Sequence, residues 1–208
     1  MREKFLPQES SDVFLVGAIG RLTAVKNHFM LLEALKVLKT RDEKGGHLKF
    51  LFVGDGELKR QLKKQASDLH VQDSVIFAGW QKEMPPVYGA IDAVALTSKN
   101  EGTPVAVIEA IASGKPVVAT DVGGVRDLLG EILETSPRGF QVARNGILVP
   151  PGNCEALAEA LVFLLQEREV CERMAGGSKV FVSKTYSLER LLDDIKALYS
   201  GLVSMQTS

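Results

Sequence analysis

Short runs of β-branched and apolar residues alternate with longer stretches whose apolar residues recur every three or four positions, and the alternation persists along nearly the whole chain. Residues 13–19, 49–53, 75–78, 92–97, 117–119 and 147–149 read as buried strands. Residues 28–39 place Leu31, Leu32, Leu35 and Leu38 on one helical face, and further helices are expected over 57–69, 82–90, 104–113 and 153–166. In the helix over 82–90, Tyr88 is expected to pack on the core. Another helix is expected to end near Gly176 and Gly177, and a last one, capped by Ser187, carries Leu188, Leu191, Leu192, Ile195 and Leu198 along one side. Strands alternating with helices imply an α/β fold in which a doubly wound parallel sheet is covered on both faces. A chain of 208 residues holds one such domain and is too short for two.

The ends of the chain differ from its body. Residues 1–11 (MREKFLPQESS) show no period and are expected to be a linker or the end of a preceding unit. The domain is expected to span 12–202, with 203–208 a frayed tail. A net charge of −1 provides no global basic field, so neither nucleic acid nor an acidic membrane is expected as a principal partner. Cys154 and Cys171 lack C-x-x-C spacing and read as reduced thiols, and His28, His47 and His70 lack the spacing of a zinc site. No apolar run reaches the roughly 20 residues of a membrane span, and residues 1–11 lack a signal-peptide core, so a cytoplasmic location is expected.

The chemistry concentrates in residues 100–124, NEGTPVAVIEAIASGKPVVATDVGG. Pro104 suits a first helical position, Gly114 a left-handed cap, and Pro116 forbids continuation. Between Gly102 and Ala119 only Glu109 and Lys115 are charged. Glu109 is either a solvated residue on an exposed stripe or a carboxylate facing a ligand, because an unpaired buried carboxylate is costly. It follows Pro104 by five residues, about 7.5 Å of helical rise. With Glu101 just before the helix, two acids would straddle an extended polar ligand, and the free N–H groups of the first turn between them favour a phosphate. Arg21 and Lys26, in the loop after the first strand, are either solvated or aimed at that same ligand. Gly54-Asp55-Gly56 reads equally well as a tight turn or as a ligand approach, while Gly123-Gly124 suggests close approach of backbone to ligand.

Glu101 and Glu109 in an E-x7-E arrangement followed by EAIASGKPVVATDVGG resemble glycosyltransferase family 4, retaining enzymes of the GT-B fold. GRLTAVKN at 20–27, VGDGEL at 53–58, VIFAGW at 75–80 and NGILVPPGN at 145–153 occur in the family's order. The resemblance implies a Rossmann-like domain equivalent to the C-terminal, donor-binding half of such an enzyme. It also implies a nucleotide diphosphate sugar as donor (UDP-, GDP- or ADP-sugar), no metal or other cofactor, and a separate N-terminal acceptor domain that carries the family's catalytic histidine. Carried onto this sequence, Arg21 and Lys26 would hold the diphosphate and stabilise its leaving charge. Glu101 would hold hydroxyls of the transferred sugar, and those three residues form the expected catalytic set.

Glu109 would hold the ribose, the Thr103 and Val105 N–H groups phosphate or sugar oxygens, with Gly102 and Pro104 completing that loop. Trp80 is either near the base or a half-buried surface aromatic. Three departures stand out: Asn27 where the family often has glycine, Arg126-Asp127 where it commonly has Pro-Glu, and a longer connection at 130–145 to which no role is assigned. With the acceptor half absent, the chain is expected to be inactive alone, to expose its last helix to weak self-association, and to meet the inner face of a membrane only through that other half. A non-catalytic nucleotide-binding or interaction module of the same fold, and a sugar-nucleotide epimerase, are the alternatives.

Overall fold

The computed structural model describes residues 2–6, 13–41 and 47–206, with side chains throughout except at 177–179 and 203–206. Eight strands form one sheet among the described residues: β1 (Phe14–Ile19), β2 (Leu48–Val53), β3 (Val75–Gly79), β4 (Ala93–Leu96), β5 (Val117–Thr120), β6 (Ile132–Thr135), β7 (Gln141–Ala143) and β8 (Gly146–Val149). The helices are α1 (Arg2–Phe5), α2 (Phe29–Thr40), α3 (Lys59–Asp68), α4 (Pro85–Ala90), α5 (Val105–Ala112), α6 (Val125–Leu129), α7 (Cys154–Gln166), α8 (Arg168–Thr185) and α9 (Leu188–Gln206).

The strand order is β3-β2-β1-β4-β5-β8-β7-β6. From β3 through β8 all neighbours are parallel, in line with the expected doubly wound sheet. The chain reverses its direction of winding between β1 and β4, which opens a crevice at the carboxyl ends of those two strands. Side chains alternate across the sheet, so Val16 and Ala18 face one core layer while Leu15 faces the other. The first layer is built by α2, α3 and α7, the second chiefly by α4, α5 and α6.

The sheet is not wholly parallel. The unassigned segment 130–145 folds into β6 and β7, which extend the edge antiparallel to β8, with Gln141 opposite Leu148. Its residues are the ones a hairpin needs: a serine, a proline and Gly139, at φ +90, turn the chain between two short strands. Three further expectations are corrected. Residues 2–6 are no linker, because Arg2–Phe5 is helical, Phe5 and Leu6 are buried, and the Arg2 guanidinium donates to both Asp92 oxygens at 3.1 and 3.0 Å. Residues 1 and 7–11 of that stretch lie outside the described residues, as does residue 12.

The helix expected to end at Gly176 instead continues to Thr185, since its partners on α5 and α7 hold it past two weak helix formers. Residues 203–206, expected to fray, continue α9, while 207 and 208 lie outside the described residues. Ser187 does cap that last helix, its hydroxyl accepting from the Arg190 N–H at 3.2 Å. The Asn153 side chain likewise caps α7, accepting from Ala156 N–H at 2.9 Å.

Candidate functional site

An open cleft of about 1070 Å³ lies at the carboxyl ends of β1, β2 and β4. Arg21, Lys26, Trp80, Glu101, Thr103, Pro104, Val105 and Glu109 all line it, so residues more than 80 positions apart in sequence meet in one place. Of the residues given a catalytic or donor-binding role from the sequence, Gly102 alone stands outside the lining; it is exposed, and its carbonyl accepts from Gly124 N–H at 3.1 Å. Ile19, Val53 and Met84 supply an apolar wall.

Lys26 ends a short 3-10 turn after β1, and Asn27 follows at φ 47, ψ 42. Asparagine suits that left-handed conformation, because its short polar side chain tolerates the region better than most. The loop is pinned from the end of β4, because the buried Thr97 hydroxyl lies 3.1 Å from the carbonyls of both Lys26 and Asn27 and shares its one proton with them. The adjacent loop is pinned from β5 by the buried Thr120 hydroxyl, which donates to the Ser98 carbonyl at 2.6 Å.

Between these two loops Lys26 Nζ reaches Glu101 Oε1 at 2.6 Å, and the fully buried Ser98 donates its hydroxyl to the same oxygen at 2.5 Å. The pair keeps its side chains 24% and 11% exposed, which leaves it reachable from the cleft yet poorly screened. Arg21 is exposed and, among the described residues, engages no ion pair, so its charge is available to a ligand.

The α5 helix begins at Val105 rather than Pro104, which acts as its cap in an extended conformation at φ −72, ψ 109. No side chain caps the first turn, so its leading N–H groups and the positive end of its dipole are open beside the cleft. Glu109, one turn further, accepts a hydrogen bond from the Tyr88 hydroxyl at 2.8 Å. Burial, reinforced by Glu109, pushes the Tyr88 phenol well above its ordinary range and so keeps it a donor. Trp80, 73% exposed, stands at the rim rather than half-buried.

The glycine pairs come close to protein backbone. A Cβ on Gly123 would sit 1.8 Å from the Glu101 carbonyl oxygen, and one on Gly54 would sit 2.1 Å from that of Gly20. These contacts let four loops nest in two pairs, so Gly54-Asp55-Gly56 shapes the cleft as well as turning the chain. Arg126 turns away, pairing with Asp121 beside the β6–β7 hairpin, and does not line the cleft. His28, two residues after Lys26, is buried with its ring T-shaped to Phe52 and its Nδ1 without a hydrogen-bond partner among the described residues, and burial first, then the Lys26 charge, lowers its pKa to about 4.

Ser98, Thr97, Thr120 and Tyr88 were not singled out as site residues in the sequence. The first three are small hydroxyl residues at the carboxyl ends of strands, a placement that does signal loop-pinning once the strand order is known. Cys154 and Cys171 are free thiols. Among the described residues no three His, Cys, Asp or Glu side chains cluster as a metal would require, and no helix is long and apolar enough to cross a membrane.

A switch-point cleft of this kind, on a mostly parallel eight-stranded sheet, is that of the C-terminal Rossmann-like domain of GT-B glycosyltransferases. The family described as "Glycosyl transferases group 1" matches residues 2–180, and the chain belongs to it. It is 30% identical over 184 residues to the lipopolysaccharide core biosynthesis glycosyltransferase LpsE of Rhizobium meliloti, covering 88% of this chain and 48% of that protein. It is 26% identical over 204 residues to the UDP-Gal:alpha-D-GlcNAc-diphosphoundecaprenol alpha-1,3-galactosyltransferase of Escherichia coli, covering 98% and 49%.

Among solved structures, Anabaena HepE in complex with UDP superposes with a TM-score of 0.80 at 25% identity, covering 96% of this chain and 52% of that one. The isolated C-terminal domain of the group 1 protein LpcC from Francisella tularensis shares the fold, with a TM-score of 0.72 at 22% identity over 90% and 93% of the two chains. The chain thus spans about half the length of the curated relatives it matches.

Proposed function

We propose that this chain is the donor-binding half of a retaining glycosyltransferase of family 4, which takes a nucleotide diphosphate sugar and needs no metal. The observation that carries the reading is the Lys26–Glu101 ion pair, held by Ser98 in a cleft it shares with Arg21, Glu109 and the uncapped start of α5. A diphosphate brings two or more negative charges. Arg21, Lys26 and the α5 N–H groups supply fixed positive charge where it would lie, and the same groups would stabilise the charge that grows as the diphosphate leaves. Glu101 would then turn its free acceptor capacity to sugar hydroxyls and Glu109 to the ribose, with Trp80 near the base.

Among the described lining residues there is no Ser, Cys or His, and Glu101 is already engaged by Lys26 and Ser98, which supports a same-face displacement in which the leaving diphosphate helps to deprotonate the acceptor. UDP is the first nucleotide to test, because HepE is described in complex with UDP and with UDP-glucose. The acceptor site would belong to the other half of the protein. The exposed face of α9, including Leu188, Leu191, Ile195 and Leu198, supports a contact with that half or with a second copy.

Calorimetry with UDP, GDP and ADP tests the proposal. One of them is expected to bind, and Lys26→Ala or Glu109→Ala is expected to weaken it about 10- to 100-fold, the range for a lost hydrogen bond to a charged group. Binding of none of the three would favour a non-catalytic scaffold, and sugar transfer by this chain alone would contradict the division of labour.

A further inference from the structure

Tyr88 lies on α4, 2% exposed, and outside the lining of the cleft. Its hydroxyl has two acceptors in reach, both on α5 and three residues apart: Glu109 Oε2 at 2.8 Å and the Ala106 carbonyl at 3.3 Å. A phenol has one proton to give, and the nearer, charged oxygen takes it. Glu109 is otherwise a long side chain with three rotatable bonds on an open wall. No ion pair among the described residues holds it, in contrast to Glu101, which is fixed by Lys26 and Ser98.

We infer that Tyr88 is a positioning residue for ribose recognition: by holding one Glu109 oxygen from behind, it sets the carboxylate plane so that its remaining lone pairs face the two ribose hydroxyls together. The inference rests on the donor-site reading of Glu109 and deepens it. A carboxylate discriminates a vicinal diol only when both acceptor directions are fixed at once, since a freely turning one finds a single hydroxyl as easily as a pair. Tyr88 touches no ligand and acts through Glu109. The same geometry predicts that phosphate affinity is independent of Tyr88, because Arg21, Lys26 and the start of α5 hold that end.

Tyr88→Phe removes the hydroxyl and keeps the packed ring. Calorimetry on the 208-residue chain compares UDP, 2′,3′-dideoxy-UDP and inorganic pyrophosphate for wild type, Tyr88→Phe and Glu109→Ala, with thermal melting as a check on folding. Wild type is expected to prefer UDP over its dideoxy form by about tenfold or more, in line with hydrogen bonds to a charged group. Tyr88→Phe is expected to lose most of that preference while binding pyrophosphate as wild type does. If Tyr88→Phe keeps the full preference while Glu109→Ala loses it, the positioning role is wrong and the donor-site reading stands. If wild type shows no preference for ribose, the assignment of Glu109 fails and the inference falls with it.

Discussion

Substituting Gly123 with alanine puts the coupling between fold and site to a direct test. Gly123 follows β5 at φ +49, and its Cα lies against the main chain of the loop that carries Glu101. An added Cβ would stand 1.8 Å from the Glu101 carbonyl oxygen and 3.0 Å from its carbonyl carbon. Both neighbours are backbone, so no side chain can swing aside, and the loops must part by more than about 1 Å to restore ordinary contact. Left-handed geometry costs a non-glycine residue about 1–2 kcal/mol and overpacking about 1–3, giving a loss near 3 kcal/mol.

At about 2–4 °C per kcal/mol for a chain of this size, the melting temperature should fall by about 6–12 °C. The displacement also draws Glu101 from Lys26, a 2.6 Å contact, so nucleotide affinity should drop together with stability. Gly102→Ala is the control: one position along the apposed loop, its Cβ would meet nothing within 4 Å, and stability should hold within about 0.5 kcal/mol. Scanning calorimetry and nucleotide titration of both variants decide the matter. If Gly123→Ala melts within about 2 °C of wild type and binds normally, the loops are not nested as described.

His28 gives a pH dependence whose sign is fixed. Its folded pKa, about 4, lies below its ordinary value of 6.5, so the unfolded chain takes up the proton first. Stability is intact above pH 6.5 and declines progressively toward pH 4, by about 3 kcal/mol from this residue. Denaturant titrations at several pH values should show His28→Phe declining less steeply over that window, and equal slopes would remove the residue from the account. Asp92 accepts from the Leu15 N–H at 2.7 Å as well as from Arg2, tying α1 to the starts of β1 and β4. Asp92→Ala should therefore cost about 1–3 kcal/mol in urea unfolding, and a change below about 0.5 would show that α1 contributes little.

Local pattern carried much of the molecule into view. Strands and helices follow from periods of two and 3.6 that neighbouring residues spell out together, and the turns follow from glycine and proline. This is why β1, β2, α2 and α7 fall within a residue or two of their expected ends. The E-x7-E spacing and the two cations of the first loop could likewise be read from the chain. Local pattern misled where packing outweighed it: α8 runs through Gly176, and α1 is held down by Arg2 and by burial of Phe5.

Strand order was decided in three dimensions. Only the placement of β1 beside β4 brings Lys26 to Glu101 across 75 residues, and only the packing of α4 against α5 brings Tyr88 to Glu109. Each of those contacts depends on a geometry that no stretch of ten or fifteen residues contains. Gly123 shows the same division. The sequence announces that a backbone comes close there, while the folded chain decides that the neighbour is the Glu101 loop.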